Sequence, residues 1–245
     1  MRWWHCYTPV GSLNRLREIE IAPGVFAHAG GALILREPRT VLLVADVHLG
    51  YGWAQRRRGQ LGPVQDAGVH EKLHALIDEL SPATMVFLGD VVHAPNPSPQ
   101  ERALVERTLA SLAARVEIVA VRGNHDRAFA RDYASLGIRA AEKWLGTGLT
   151  AIHGDRLPDG LSPERLVIGH LHPAVAVRDD AGASRRIPAF LVGTRACVLP
   201  AFSPLAAGFD VSAGLPPDIK ALFGPGAIEV IAATGKRVVK LPARL

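Results

Sequence analysis

Cysteine and long apolar runs are scarce in this 245-residue sequence, and both shortages restrict what the protein is. Its two cysteines, Cys6 and Cys197, are too few for a disulfide framework and form no CxxC pair, which favours a reducing cytoplasm. No stretch approaches the ~20 apolar residues that span a bilayer, and the first residues lack the apolar core of a secretory signal. The sequence also has no P-loop, dinucleotide fingerprint or nucleophile elbow. These absences predict a soluble, cytoplasmic protein with no membrane partner.

The length and the hydrophobic content of 48% predict one large domain over residues 1–245. The formal net charge is +5, and arginine greatly outnumbers lysine. A basic surface favours polyanionic partners such as nucleic acid. An arginine-rich composition without functional meaning is the alternative explanation.

Apolar runs and amphipathic stretches alternate along the chain. Short strands are expected between Glu18 and Asp46, and longer apolar runs predict strands at 84–88, 116–121, 149–153, 166–169, 188–200 and 227–240. Helices are predicted over 65–80 and after Ser98, where Ser-Pro-x-Glu forms a capping box. Residues 1–17 are expected to be a loose lead-in, and the arginines at 56–58 to lie in a loop. This order predicts an α/β fold of two packed sheets with helices outside.

Five of the predicted strands end in residues with metal-ligand chemistry. A lone histidine is more often a core or surface residue, but six of the ten histidines fall in or beside these motifs. Open α/β sheets place their ligands at the carboxyl ends of strands, so these groups are expected to converge. Two carboxylates, one amide oxygen and four imidazoles suit two adjacent divalent metals that clamp a phosphoryl transfer. The motifs are Asp46-Val47-His48, Gly89-Asp90, Gly123-Asn124-His125-Asp126, His153-Gly154-Asp155 and Gly169-His170-Leu171-His172.

These motifs resemble, in order and spacing, those of the calcineurin-like metallophosphoesterases, over about residues 40–212. The resemblance implies a four-layer αββα sandwich of two mixed sheets flanked by helices. It implies that Asp46, His48 and His172 hold one metal, and that Asp90 bridges both metals. The second metal would be held by Asn124, His153 and His170. Manganese is the expected metal, although the ligand types also suit iron or zinc.

The resemblance further implies that His125 is the general acid that protonates the leaving oxygen. Some relatives place an aspartate three residues after the bridging carboxylate to pair with this histidine, but here that position is His93. Such a histidine resembles the DNA-repair nuclease branch, most closely the ligase-associated DNA-damage-response endonucleases and their archaeal relatives. His93 is therefore predicted to lie at the site edge, with a solvated loop position as the alternative, and the partner that orients His125 stays open.

Four further residues are candidates for roles around the metals. Asp126 and Asp155 are placed to orient imidazoles, with a plain cap or turn role as the alternative. Arg122 and Arg127 flank the Gly-Asn-His-Asp motif and are placed to contact a substrate phosphate, with a salt bridge to a neighbouring acid as the alternative.

Three other patterns each have a functional interpretation and a plain structural alternative. His70-Glu71-Lys72-Leu73-His74 is a literal HExxH on a predicted helix, but no third zinc ligand follows and Lys72 puts a charge inside the motif, so a zinc peptidase is disfavoured. The arginines at 56–58 could hold a nucleic-acid backbone, or simply face solvent. Trp3 and Trp4 could stack bases, with ordinary packing favoured.

Three functions are consistent with the sequence. The first is a metal-dependent DNA phosphodiesterase or endonuclease in DNA repair, with ligase or helicase partners implied by the resemblance. The second is a small-molecule phosphodiesterase or phosphomonoesterase that acts on nucleotides. The third, a non-catalytic module on a decayed phosphoesterase, predicts missing ligands, and none is missing.

Overall fold

Two β-sheets pack face to face in this protein. The computed structural model describes residues 17–36, 38–60, 66–157, 165–178, 182–206 and 208–242. The predicted lead-in up to residue 16, with Cys6, Trp3 and Trp4, lies outside these ranges.

The first sheet is mixed, with antiparallel pairing from β1 to β4 and parallel pairing from β4 to β7. Its seven strands lie in chain order. They are β1 (Glu18–Ala22), β2 (Val25–His28), β3 (Leu33–Leu35), β4 (Val41–Ala45), β5 (Thr84–Leu88), β6 (Glu117–Val121) and β7 (Arg139–Ala141).

The second sheet has nine strands, also mixed, in the order β14-β11-β12-β13-β10-β9-β8, with β15 and β16 added beside β12. Two parallel pairs, β9 with β10 and β10 with β13, lie at its centre. The strands are β8 (Trp144–Gly146), β9 (Leu149–Ile152), β10 (Arg165–Ile168), β11 (Pro173–Arg178), β12 (Ser184–Val192), β13 (Ala196–Val198), β14 (Phe209–Asp210), β15 (Glu229–Ala233) and β16 (Val238–Leu241).

Helices cover the outer faces of both sheets. They are α1 (Tyr51–Arg57), α2 (Asp66–Leu80), α3 (Pro99–Ala113), α4 (Phe129–Asp132) and α5 (Pro217–Ala221). The capping box predicted at Ser98 is confirmed, because its side chain accepts from Glu101 N and the Glu101 carboxylate accepts from Ser98 N. The prediction that the arginines at 56–58 lie in a loop is wrong in part, since Arg56 and Arg57 belong to α1.

Period-two alternation explains why β4 is a continuous apolar run. Leu43 and Ala45 face the second sheet, in a core that includes Phe190, whereas Leu42 and Val44 face α2 and α3. The outer face of the second sheet packs against a 3-10 turn at Val211–Ala213 and residues around α5. The expected four-layer arrangement of two mixed sheets flanked by helices is therefore present.

Several short strands differ from the sequence-based expectation. The run expected at 188–200 divides into β12 and β13, and 227–240 divides into β15 and β16. None of the helices within the described ranges is long and apolar enough to cross a membrane.

Candidate metal centre

Parallel pairing brings the first three motifs to one edge of the first sheet. Beyond the ends of β4 and β5 the two loops remain paired, because His48 N donates to Asp90 O at 2.8 Å and Leu49 N donates to Val91 O at 2.8 Å. The motif after β6 reaches the same edge, where His125 N donates to Asp90 Oδ1 at 3.0 Å. Strand register thus decides which side chains meet.

The second sheet supplies the remaining histidines to this edge. His170 N, after β10, donates to Asp46 Oδ2 at 2.8 Å. The segment after β13 joins the sheets as well, since Phe202 N donates to Ala45 O at 2.8 Å and Ser203 N donates to Asp46 O at 3.2 Å. The site therefore lies across the junction of the two sheets.

The first group of ligand atoms comes from Asp46, His48 and His172, whose ligand atoms lie within 4.8 Å of one another. Asp46 Oδ1 is 3.1 Å from His172 Nε2. Because Asp46 Oδ2 is held by the His170 amide, Oδ1 is the oxygen that faces this group.

The second group comes from Asp90, His153 and His170, again within 4.8 Å, with Asn124 beside them. His153 Nε2 lies 3.0 Å from Asn124 Oδ1, 3.1 Å from His170 Nδ1 and 3.5 Å from Asp90 Oδ1. These distances are close to those expected between ligands of one cation. Two metal–ligand bonds of about 2.1 Å, meeting at roughly 90–110°, would place the two ligand atoms about 3.0–3.4 Å apart. His153 Nδ1 donates to Leu88 O at 3.0 Å, which turns Nε2 into the site.

Asp90 lies between the two groups. Its Oδ1 is 3.5 Å from His153 Nε2, and its Oδ2 is 3.9 Å from His48 Nε2. The carboxylate is almost fully buried, at 3% exposure. This is the position that a bridging ligand requires.

The backbone at the site is held in a conformation that side chains seldom adopt. Within the described ranges six non-glycine residues have positive φ, and five of them are predicted ligands. Such conformations cost ~1–3 kcal/mol each and persist where the surrounding structure imposes them, often at functional sites. The five are Asp46, His48, Asp90, His170 and His172.

Buried polar atoms without partners show that the residues fit a cation. Considering the described residues only, Asp46 Oδ1, His48 Nδ1 and His172 Nε2 are buried without a well-aligned hydrogen bond, and Asp46 Oδ1 and His172 Nε2 face each other at 3.1 Å. Each unsatisfied atom of this kind costs about 1–3 kcal/mol. Burial, reinforced by neighbouring imidazoles, lowers the pKa of His48 to about 2 and lowers that of His170, so both favour the neutral form that binds metals.

His125 lies beside the two groups rather than within the pair that Asp90 joins. Its Nδ1 donates to the main-chain oxygen of His93 at 2.5 Å, and its Nε2 lies 3.9 Å from Asp90 Oδ2. The partner that orients His125, which sequence reasoning left open, is therefore a backbone carbonyl. No residue-type signal could have revealed it, because any amino acid at position 93 carries the same oxygen.

The His93 ring lines the cleft beside the candidate metal ligands. The His93 ring stacks on the His125 ring, with the two ring centroids 5.6 Å apart. Its centroid is 4.3 Å from the centroid of the Tyr51 ring. Burial, and then the charges of His125 and Arg58, lower its pKa to about 4. Ligand atoms of His48, His93 and His125 also lie within 4.8 Å of one another. A cleft of about 260 Å³ opens here, with Tyr51, Leu205 and Ala206 on its walls.

Asp126 and Asp155 take different positions. Asp126 is buried and accepts backbone N–H groups from Gly123, Val91 and Val92 at 3.0–3.3 Å, so it has the turn role and not the imidazole-orienting one. Burial raises its pKa to about 6. Asp155 is exposed, and its charge is a minor influence on the pKa of His170.

A side chain at position 123 would collide with Asp90, although the backbone there does not have a positive φ. Gly123 is not among the glycines with positive φ, but a Cβ there would lie 2.3 Å from both N and Oδ1 of Asp90. The close approach of the two loops, rather than an unusual backbone angle, excludes a side chain.

The flanking arginines do not enter the ligand groups. Arg122 forms a salt bridge with Glu142, which is the alternative that the sequence left open. Arg127 is exposed and lines a separate cavity of about 270 Å³ with Arg122. In α1, Arg57 pairs with buried Glu101 at 3.2 Å, whereas Arg58 is close enough to His93 to lower its pKa.

Within the part of the chain that the structure describes, the HExxH residues belong to no cluster of side chains that could hold a metal ion. Both nitrogens of the His74 ring are engaged by α3 and the residues after it. Nε2 is 3.0 Å from Ser111 Oγ, and Nδ1 is 3.0 Å from Arg115 Nη1. The zinc-peptidase alternative is therefore without structural support.

Comparison with known proteins agrees with this geometry. The chain belongs to the calcineurin-like phosphoesterase family, whose model matches residues 39–173. It is similar to the crystal structure of Pseudomonas putida nuclease MPE, with 26% identity and a TM-score of 0.68, over 92% of this chain and 100% of that chain. It also matches Yfce, a phosphoesterase from E. coli, at 18% identity and a TM-score of 0.43, over 82% of this chain and 97% of that chain. No curated protein sequence matches it. The protein is thus a metal-binding hydrolase of the metallophosphoesterase class.

Proposed function

We propose that this protein is a dinuclear metal-dependent phosphodiesterase that cleaves DNA internally. The observation that carries the proposal is Asp90, whose oxygens lie 3.5 Å and 3.9 Å from histidines of two separate ligand groups. Two cations about 3.5–4 Å apart suit in-line displacement at a phosphoryl centre, because both the attacking and leaving oxygens are stabilised.

The two ions would be held by Asp46, His48 and His172 on one side and by Asn124, His153 and His170 on the other, with Asp90 shared. Bound divalent metals supply Lewis acidity and a water that ionises near neutral pH. Carboxylate, amide and imidazole ligands without thiolate suit manganese, iron or zinc, and manganese is the metal proposed here.

His125 has the geometry of a proton donor to the leaving oxygen. Its Nδ1–H is committed to His93 O, so Nε2 is the atom that faces the cleft and exchanges a proton. This Nε2 lies 3.9 Å from Asp90 Oδ2. A positioned general acid of this kind accelerates a reaction by roughly 10²–10⁴-fold.

Two observations support DNA as the substrate. The similar structure of 26% identity is a nuclease, and it aligns over its full length. The net charge of +5 and the exposed Arg58 near His93 suit a polyanion beside the cleft. A repair role in the cytoplasm, with a ligase or helicase as partner, completes the proposal.

Circular single-stranded DNA incubated with the enzyme and Mn²⁺ tests the proposal directly. Linearised circles are expected, because only internal cleavage opens a circle. EDTA should abolish the reaction, and renewed Mn²⁺ should restore it. Intact circles together with hydrolysis of nucleotides would instead establish the small-molecule phosphoesterase, and intact circles without any hydrolysis would refute both.

A further inference from the structure

A second cavity, of about 490 Å³, adjoins the metal cleft. His172, Leu205 and Ala206 line both spaces, so they form a shared wall. A ligand longer than one phosphoryl group, when bound at the metal centre, would therefore extend into this cavity.

Lys72 lies in this cavity without an acidic partner. Its Nζ donates to Phe202 O at 3.2 Å and sits 3.9 Å from the centroid of the Phe202 ring. Among the residues that the structure describes, no carboxylate pairs with it. Burial alone lowers its pKa to about 8, with no neighbouring acid offsetting the effect. Burying a cation without a negatively charged partner costs free energy, and a bound anion would offset that cost.

Phe202, which Lys72 contacts, lies in the segment that joins the two sheets. Phe202 is buried, at 1% exposure, and its own N–H is bound to Ala45 O at 2.8 Å, in the segment that joins the two sheets. The next residue along that segment, Ser203, donates to the main chain of Asp46. The carbonyl that Lys72 contacts thus belongs to a segment that also binds the main chain of Asp46, one of the candidate metal ligands.

A second cation lies on the cavity wall. Arg186 Nη1 donates to Gly208 O at 2.7 Å, and both residues line the cavity. The nearby acid is Asp210, whose pKa is lowered by hydrogen bonds from Ser212 and Ala176 and further by the charge of Arg186. Its Oδ1 accepts those backbone N–H groups at 3.0–3.3 Å, so it forms no direct ion pair with Arg186 in the described structure.

We propose that this cavity binds the phosphate next to the scissile phosphodiester of a nucleic-acid strand, with Lys72 and Arg186 as its ligands. The inference rests on the proposed function and deepens it, since it names where the neighbouring nucleotide lies. Pro173, Pro188 and Pro204 add apolar wall against which a base can pack.

The test uses thymidine dinucleotides with no terminal phosphate, with a 5′-phosphate or with a 3′-phosphate. Scission of the internal linkage is followed by chromatography. For each variant, the kcat/KM of each phosphorylated dinucleotide is divided by the kcat/KM of the dinucleotide without a terminal phosphate. In the wild type, one terminal phosphate is expected to raise kcat/KM about tenfold or more, the size of one charge-assisted hydrogen bond. In Lys72→Met, which keeps a long unbranched side chain but removes the charge, this ratio should fall to about one.

Lys220→Met is the matched control, because it removes the same charge from an exposed position in α5. It should keep the wild-type ratio, and Arg186→Gln should lose most of it. Metal content and Tm are measured for every variant to exclude misfolding. A ratio of one in the wild type, or a wild-type ratio in both Lys72→Met and Arg186→Gln, overturns the subsite.

Calorimetric binding of the phosphorylated dinucleotides separates this inference from the proposed function. If the wild type leaves circular single-stranded DNA and every dinucleotide intact but hydrolyses bis-p-nitrophenyl phosphate, the nucleic-acid function is wrong. The subsite still predicts that Lys72→Met weakens binding of one phosphorylated dinucleotide about tenfold. Equal affinities of the wild type and Lys72→Met would refute the subsite in that case too.

Discussion

Replacing Gly89 with alanine should remove one metal ion, although Gly89 is not itself a ligand. A Cβ built at this position lies 2.3 Å from His153 Nδ1 and 2.4 Å from His153 Cγ. Because carbon and nitrogen atoms normally stay about 3.4 Å or more apart, the ring must move by about 1 Å. That movement would also break the hydrogen bond of 3.0 Å from His153 Nδ1 to Leu88 O, which fixes the ring orientation.

The expected size of the effect follows from these distances. A shift of about 1 Å is half of a metal–nitrogen bond of about 2.0–2.1 Å, so His153 would no longer coordinate. Misplacement of about 1 Å in an active site can cost roughly 10²-fold in rate. We therefore expect Gly89→Ala to bind about one metal fewer per chain and to lose 10²-fold or more of its phosphodiesterase activity.

Gly148→Ala is a matched control for the energetic cost of placing alanine in a left-handed backbone conformation. Gly148 has the same φ of 71° as Gly89, but no atom lies within 4 Å of a Cβ built there. Both variants pay about 1–2 kcal/mol for a left-handed alanine, and only Gly89→Ala meets His153. Metal analysis by mass spectrometry, with turnover of bis-p-nitrophenyl phosphate, measures the difference. Full metal content and activity in Gly89→Ala would refute the reasoning, as would equal losses in the two variants.

Three further predictions test other groups. His125→Ala should keep its metal content, while kcat falls roughly 10²–10⁴-fold because a general acid is lost; metal analysis and steady-state kinetics check both, and an unchanged kcat would contradict the proton-donor role. Asp90→Ala should lose both metals, whereas Asp155→Ala, which removes an exposed carboxylate, should keep them; full occupancy in Asp90→Ala would exclude bridging. Cys197 is buried and its pKa is raised to about 12 by burial, so in a Cys6→Ser variant the thiol should resist iodoacetamide until the protein is denatured; rapid labelling of native protein would disprove this.

The differences between expectation and structure have both local and long-range causes. Arg56 and Arg57 lie in a helix, Arg122 is paired with Glu142, and the longest predicted strands are divided. Arg122 pairs with Glu142, which lies 20 positions away in the chain, whereas local turns divide the two strands. Gly193 N donates to Ala196 O at 2.9 Å between β12 and β13, and Thr234 N donates to Arg237 O at 3.1 Å between β15 and β16. Strands of three residues such as β7 and β13 carry too few alternating positions for a pattern to show.

The sequence by itself determined the class of fold, the capping box at Ser98 and the set of candidate metal-ligating side chains. These follow from local signals, because an apolar run ending in Gly-Asp or Gly-Asn-His-Asp is complete within about ten residues. Only the tertiary structure decided which oxygen orients His125, which oxygen of Asp46 stays free, and that Lys72 lines the cavity beside the metal cleft. Those outcomes depend on strand register and on contacts between residues far apart in the chain, such as Lys72 and Phe202, which no local pattern encodes.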